Sequence, residues 1–261
     1  IQAFPWEEWE NEFELASDLD LSIMEWTLDF DNLMRNPIMH NEGRQKIKIL
    51  SKKYNISIPS LTGDCFMQNP FWKAEPKDRK NLIFIFDSVI KAAQICGIQM
   101  ILVPLVDNGK IENSDQEKIL IETCLNQQDF LKRHKMCIMF ESDYNPKKLS
   151  SFINIFPNYQ FGINYDIGNS AALGFNPEDE FMSYGQRIVN IHVKDRILNG
   201  TTVPLGHGDA DFDLVFKMVK DINFKNNFIL QTARSKNGKH KEVLAKYRDF
   251  LIQWLKKSNE T

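Results

Sequence analysis

Short apolar runs alternate with longer amphipathic segments along the whole chain. Most of the short runs are almost continuously apolar, which is typical of strands buried on both faces of a parallel sheet. They predict seven strands, at residues 21–28, 56–61, 99–105, 136–141, 159–165, 188–193 and 227–231.

The longer segments between these runs have the spacing of amphipathic helices. In residues 77–96 the apolar positions fall on one stripe, formed by Leu82, Ile85, Phe86, Val89, Ile90 and Ala93. The same spacing predicts helices at residues 6–17, 115–134, 211–222 and 240–256. Ser114, with Glu117 three residues later, has the pattern of a capping box, so we expect Ser114 to be the N-cap of its helix.

Repeated strand–helix units without an antiparallel hairpin signal indicate an α/β fold. An open doubly wound sheet would show a glycine-rich dinucleotide turn after an early strand, and the sequence has none. We therefore predict a (β/α)8 TIM barrel, with residues 1–261 as a single domain. A (β/α)8 barrel has eight strands, whereas seven are predicted and a helix at residues 6–17 opens the chain. We therefore expect that the first strand is missing from the N-terminus of this chain.

Composition and charge exclude several classes of protein. The net charge is -3 and the pI is about 6.0, so no basic face for nucleic acid is expected. No apolar run reaches the roughly 18 residues that cross a bilayer, and the first residues lack the features of a signal peptide. Four cysteines without metal-site spacing are expected to be reduced thiols: Cys65, Cys96, Cys124 and Cys137. We expect a cytoplasmic protein with neither nucleic acid nor membrane as a partner, and leave homo-oligomer formation open.

Four polar side chains stand at the ends of four consecutive predicted strands: Glu141, Asp166, His192 and Gln231. Consecutive barrel strands are neighbours, and barrel enzymes place their active groups at the carboxyl ends of strands. We therefore expect these side chains to converge. Two carboxylates, an imidazole and an amide oxygen favour a divalent metal ion such as Mn²⁺, Mg²⁺, Zn²⁺ or Co²⁺. The simpler interpretation of a single carboxylate here is a helix N-cap or a loop anchor.

Other polar residues near the predicted strand ends are candidates for catalysis and substrate binding. His207 lies between two glycines, in a loop that could reach over the mouth, although a solvated loop histidine has the same pattern. Lys194, Arg196 and Arg234 follow the last two strands, where barrels often bind phosphate, which arginine can grip in a bidentate way. Surface ion pairs would explain the same cations. Asp64 follows the second predicted strand and is a further candidate for substrate binding.

Several of these segments resemble the sugar-phosphate isomerase/epimerase branch of the xylose-isomerase-like barrels. The resemblance is carried by Glu141, Asp166 and His192, together with residues 192–196 (HVKDR) and 204–212 (PLGHGDADF). Residues 23–26 (IMEW) and 60–67 (SLTGDCFM) are also similar to hexulose-phosphate isomerase-like sequences. The branch includes L-ribulose-5-phosphate 3-epimerase and other ketose 3-epimerases, and the resemblance covers nearly the whole chain.

The resemblance implies a metal held by a Glu, an Asp, a His and a second Glu on the last strand. In this branch the two glutamates also exchange a proton on opposite faces of one carbon. Gln231 stands at the position of the second glutamate, and an amide oxygen can ligate a cation but cannot accept a proton. Asn169 stands where the family usually has a histidine. Either Glu141 acts with a different partner, or the chemistry differs, or turnover has been lost.

The leading hypothesis is a metal-dependent isomerase or epimerase that acts on a small ketose, with or without a phosphate, through an enediolate. Glu141 would remove the α-proton while the cation stabilises the developing charge. A sugar-binding barrel without turnover is the alternative that Gln231 keeps open. A metal-dependent hydrolase resembling the superfamily's DNA-repair endonuclease is less favoured. That enzyme uses a histidine-rich cluster, whereas this chain has five histidines, of which His134 and His240 are predicted on helix surfaces.

Overall fold

The computed structural model describes residues 4–233, 235 and 238–260 of the 261-residue chain, with side chains described as far as residue 257. Within these residues seven parallel strands follow one another in chain order in one sheet. They are β1 (Ile23–Thr27), β2 (Ser57–Thr62), β3 (Met100–Leu105), β4 (Cys137–Ser142), β5 (Phe161–Asp166), β6 (Ile188–Val193) and β9 (Asn227–Leu230). All seven predicted strands are confirmed, with ends shifted by no more than two residues.

The described residues also form eleven α-helices, which alternate with the strands. They are α1 (Asn11–Asp18), α2 (Asn41–Tyr54), α3 (Asp64–Gln68), α4 (Pro76–Cys96), α5 (Ser114–Leu125), α6 (Gln128–His134), α7 (Pro146–Ile153), α8 (Ile167–Leu173), α9 (Pro177–Tyr184), α10 (Phe212–Asp221) and α11 (His240–Glu260). Strand followed by helix is the repeating unit of the predicted α/β fold, which this element order confirms.

The helix predicted over residues 115–134 is two helices, so that prediction was wrong in its extent. The chain leaves α5 at Asn126, and the N–H of Gln127 bonds to the carbonyl of Cys124, three residues back, at 3.0 Å. This hydrogen bond spans three residues, whereas an α-helical one spans four, and it closes the last turn of α5 before α6 begins. The apolar spacing continues through the break, which is why the sequence pattern did not show it.

The N-cap of α5 is Asn113, and the prediction of Ser114 was also wrong. Asn113 is extended, and its Oδ1 accepts hydrogen bonds from the N–H groups of Asp115 and Gln116 at 3.1 and 3.0 Å. Ser114 is already the first helical residue. Asparagine is as strong an N-cap as serine, so two adjacent capping residues made the boundary ambiguous by one position.

The chain divides into two compact units, of which the first comprises Ile1–Ser142 and Phe156–Phe161. In this unit β1 shows how the two faces of the sheet differ. Trp26 is buried against the ring of Trp9, with 5.6 Å between centroids. Its neighbour Glu25 accepts hydrogen bonds from the hydroxyls of Ser60 and Thr62. Because side chains alternate along a strand, the face opposite Trp9 is polar at this position.

The second unit comprises Asp143–Ile155 and Gly162–Thr261. Its strands are in parallel register, with Asp166 opposite His192 and His192 opposite Ile229. One residue beyond β9, the N–H of Gln231 bonds to the carbonyl of Val193 at 3.1 Å. The carboxyl ends of β5, β6 and β9 therefore lie side by side, as the sequence predicted.

A short antiparallel pair follows β6 and corrects the expectation that no hairpin is present. It joins β7 (Asp195–Arg196) to β8 (Thr202–Val203). Arg196 holds the turn closed, because its Nη2 donates to the carbonyl oxygen of Gly200 at 2.7 Å. Two residues per strand are too few to produce an alternating pattern in the sequence.

The cysteine prediction is confirmed for the described residues, since no disulfide joins the four cysteines. Cys65 and Cys124 are fully buried, and burial raises the pKa of both thiols well above the ordinary value. They are therefore inert packing residues at neutral pH. Over the part of the chain that is described, no helix is both long and apolar enough to span a bilayer.

Candidate metal centre

Asp166, the last residue of β5, has a carboxylate that is held from two sides. Its Oδ1 caps α8 by accepting a hydrogen bond from the N–H of Asn169 at 2.8 Å. Its Oδ2 accepts one from Nζ of Lys194 at 2.7 Å. The residue is only 4% exposed. The strand places Asp166 and the following helix fixes its orientation.

His192 lies beside Asp166 on β6 and is completely buried. The two residues are register partners, so their side chains lie on the same face of the sheet. Nδ1 of His192 is 3.9 Å from Oδ2 of Asp166. A buried imidazole next to a buried carboxylate is a common arrangement of metal ligands and of acid–base pairs.

Glu141 completes a group with these two residues. One ligand atom from each of Glu141, Asp166 and His192 lies within 4.8 Å of the others, and all three residues are buried. Two ligand atoms at about 2.0–2.2 Å from a shared cation are at most about 4.4 Å apart, so the spacing requires only small adjustments. Two carboxylates are hard donors and the imidazole is a borderline one, a combination that suits a divalent ion. The three side chains lie close together, and their role as metal ligands stays a prediction.

Gln231, the fourth predicted ligand, is half-buried at the end of β9. It stands two residues beyond Ile229, the register partner of His192. Side chains of a strand alternate, so Gln231 belongs to the same face of the sheet as His192. This position agrees with the sequence prediction, and metal ligation by the amide oxygen stays a prediction.

The two cations predicted to bind substrate already contact protein groups. Lys194 is 14% exposed and pairs with Asp166. Arg196 donates from Nη1 to Oδ1 of Asn169 at 2.8 Å, in addition to its bonds to Gly200. Asn169 therefore binds the guanidinium that ties the β7–β8 pair to α8. Substrate contacts from Lys194 and Arg196 stay predictions.

The remaining predicted residues differ in their exposure. His207, the second predicted catalytic residue, is exposed in the loop at 204–210 and does not belong to the group of possible ligands. Asp64, a predicted substrate contact, is half-buried as the first residue of α3. Arg234 lies outside the described residues. The roles of these three residues stay predictions.

Asp195 anchors the loop that carries His207, a role the sequence analysis missed. Its fully buried carboxylate accepts hydrogen bonds from the N–H groups of Gly206 at 2.9 Å, Gly208 at 2.8 Å and Ala210 at 3.2 Å. A Cβ on Gly208 would come within 2.2 Å of Oδ1 of Asp195, so only glycine fits there. The paired glycines around His207 therefore reflect close packing on a carboxylate as well as loop flexibility.

A second buried carboxylate, Glu180 of α9, was also missed. It is 2% exposed and accepts hydrogen bonds from the hydroxyls of Tyr165 at 2.9 Å, Tyr184 at 2.6 Å and Ser170. Burial raises the pKa of Glu180, and the three hydroxyl donors oppose that shift. Because Tyr165 precedes Asp166 on β5, this cluster supports the strand end next to the candidate ligands.

Comparison with known proteins gives one curated relative over almost the whole length. A protein of Haemophilus influenzae named "Putative L-ribulose-5-phosphate 3-epimerase SgbU" is 24% identical over 269 residues, which cover 96% of this chain and 92% of that protein. The name agrees with the branch that the sequence resembles.

Solved structures of similar fold include a xylose isomerase domain protein from Planctomyces limnophilus, with a TM-score of 0.76 and 17% identity over 95% of this chain and 93% of that one. The IOLI protein with a bound zinc atom has a TM-score of 0.77 and 15% identity, with the same coverages. D-psicose 3-epimerase, solved in the presence of D-fructose, has a TM-score of 0.75 and 11% identity. The match covers 94% of this chain and 93% of that one. At these identities the likeness shows the fold alone.

A family model described as "Xylose isomerase-like TIM barrel" matches residues 13–257. The match covers all seven parallel strands of the sheet and every member of the Glu–Asp–His group. It confirms the predicted TIM-barrel fold. This chain belongs to the xylose isomerase-like TIM barrel family.

Proposed function

We propose that this protein is a metal-dependent isomerase or epimerase of a small ketose or ketose phosphate. The observation that carries the proposal is the buried group of Glu141, Asp166 and His192, whose ligand atoms lie within 4.8 Å of one another. The name of the curated relative, "Putative L-ribulose-5-phosphate 3-epimerase SgbU", supports this class of substrate.

The donor set fits a divalent cation, with Gln231 as the proposed fourth ligand. Carboxylate, imidazole and amide donors suit Mn²⁺, Mg²⁺, Zn²⁺ or Co²⁺. When bound, such an ion polarises a carbonyl oxygen and stabilises the negative charge that develops after loss of the α-proton. Asp166 is positioned for ligation before any ligand binds, because Asn169 and Lys194 hold its carboxylate.

The two proton transfers of an epimerisation would be carried out by two different kinds of residue. Glu141 is the proposed base that removes the α-proton of the ketose and leaves an enediolate. Gln231 has no titratable group, so another residue must return the proton in an epimerisation. We assign this role to His207, whose loop is anchored by Asp195. Lys194 and Arg196 are the proposed contacts to the oxygens of a sugar or its phosphate.

The experiment that tests this proposal is deuterium exchange at the α-carbon of ketoses and ketose phosphates in D₂O, followed by NMR. Removal of the proton needs only one base, so exchange detects the chemistry of Glu141 even if epimerisation is slow. We expect exchange with Mn²⁺, none after chelation, and a loss of at least about 10²-fold in Glu141→Gln. His207→Gln should keep the exchange and lose epimerisation, because His207 is proposed only to return the proton on the opposite face. Equal exchange after chelation, or no exchange with any substrate, would contradict the proposal.

Gln231 also supports a second candidate function, a barrel that binds sugars without turnover. The Gln231→Glu variant separates the two candidates, because it restores the carboxylate that the family usually has. If only the variant epimerises ketoses, the natural chain is a binding protein with a decayed site. If the natural chain is active and the variant is no faster, Gln231 belongs to a different mechanism.

A further inference from the structure

A groove of about 840 Å³ lies on the first unit, at the amino ends of its strands. It runs along α2 and reaches Ser57, the first residue of β2, and Gln99, which precedes β3. Because β2, β3 and β4 are parallel, these residues are at the opposite end of the sheet from Glu141. None of the residues proposed for the reaction lines the groove. Its volume is that of a site for a small organic molecule.

The groove has positive charge from one face of α2. Arg44, Lys48 and Lys52 follow one another at intervals of four residues, and all three line it. No aspartate or glutamate is among its lining residues. Elsewhere on the same helix, Lys46 pairs with Glu10 at 2.8 Å. The described lining of the groove therefore carries three cations and no carboxylate.

Arg44 has hydrogen-bonding capacity that the described residues do not fill. Its Nη1 donates to the carbonyl oxygen of Ile38 at 2.9 Å, which fixes the side chain. Its Nε is buried and has no acceptor among the described residues. Buried donors are normally satisfied, so a ligand in the groove could supply the missing acceptor if the guanidinium turns toward it on binding.

The rest of the lining is mixed. Apolar surface comes from Ile47, Ile58, Pro59 and Ile95, and hydrogen-bonding groups come from Ser51 and Asn55. We propose that this groove binds a small organic phosphate. The phosphate would lie on Arg44, Lys48 and Lys52, which can each donate to its oxygens, and the organic part would cover the isoleucines.

Phenyl phosphate is the probe that tests this site, with binding measured by isothermal titration calorimetry on the metal-loaded protein at low salt. The decisive variant is Lys48→Gln/Lys52→Gln. Both lysines are exposed, so the change spares the core. The matched control is Lys77→Gln/Lys80→Gln, which removes the same charge from exposed positions of α4 outside the groove. Thermal unfolding of both variants checks that the fold is kept.

We expect saturable binding that weakens about three- to tenfold in Lys48→Gln/Lys52→Gln and is unchanged in the control. Inorganic phosphate, which lacks the organic part, is expected to bind more weakly, and phenol, which lacks the charge, more weakly still. Equal weakening in both variants would reveal a general charge effect and overturn the proposal. Absence of saturable binding, or benzoate binding as tightly as phenyl phosphate, would also overturn it.

Discussion

Asp166 can act both as a helix cap and as a metal ligand, two roles that the sequence analysis gave as alternatives. A carboxylate at a strand end was expected to be either a helix cap or part of a metal site. Its Oδ1 caps α8, while its Oδ2 lies 3.9 Å from Nδ1 of His192. Because the two oxygens are independent acceptors, capping leaves the second one for other partners. The cap also fixes the geometry of that second oxygen.

Glu180 is predicted to make stability depend on pH. Burial raises its folded-state pKa above the ordinary 4.5, so the folded protein binds a proton more tightly than the unfolded chain. The free energy of unfolding should therefore decrease as the pH rises from about 4.5 through the raised pKa. In Glu180→Gln this part of the decrease should disappear. Urea unfolding at a series of pH values measures it.

Glu178→Gln is the matched control for this prediction, because Glu178 is exposed on the same helix. It should follow the pH dependence of the natural protein. If Glu180→Gln keeps the same slope as the natural protein between pH 4.5 and 7, the raised pKa of Glu180 does not contribute to stability, and this part of the account is wrong.

At the scale of elements, the cap of α5 gives a direct test of the boundary found in the structure. Asn113→Ala removes the acceptor of two N–H groups and is expected to lower the free energy of unfolding by about 1 kcal/mol. Ser114→Ala changes the first helical residue and is expected to cost much less. Chemical denaturation compares the two variants, and a larger loss in Ser114→Ala would restore the sequence-based boundary.

The loop at 204–210 is predicted to depend on the buried carboxylate of Asp195. Asp195→Asn puts an amide N–H₂ among three N–H donors and removes the charge, so it weakens the anchor. Hydrogen exchange at Gly206, Gly208 and Ala210 should accelerate by about tenfold or more. The control, Asp209→Asn, alters an exposed acceptor of the same loop. Unchanged exchange in Asp195→Asn would show that the loop is held by other contacts.

Elements with strong apolar patterns were predictable, and those defined by local hydrogen bonds were not. The strands and α4 are set by continuous or periodic burial, which the sequence displays directly. The break between α5 and α6 and the β7–β8 pair depend on a few backbone hydrogen bonds. These hydrogen bonds leave the spacing of apolar residues unchanged, so the sequence pattern does not reveal them.

At the scale of the whole molecule, topology made the candidate metal centre predictable. Consecutive strand order in a parallel sheet brings together residues that are far apart in the sequence. For this reason Glu141, Asp166 and His192 could be grouped from the sequence, and their ligand atoms lie within 4.8 Å of one another. The roles of Asp195 and Glu180 could not be predicted, because each depends on which groups lie around a buried carboxylate. Tertiary contacts decide that, and no spacing in the sequence encodes it.

The central claim is that Glu141, Asp166 and His192 bind one divalent ion. Titration of the chelator-treated protein with Mn²⁺, followed by water-proton relaxation, tests it most directly. We predict one Mn²⁺ per chain and a free energy of unfolding raised by about 2.7 kcal/mol when free Mn²⁺ is 100-fold above its Kd. The affinity should fall at least about tenfold in Glu141→Gln and His192→Gln, and stay unchanged in the exposed control His240→Gln. Failure to bind Mn²⁺, or unchanged affinity in His192→Gln, would contradict the account.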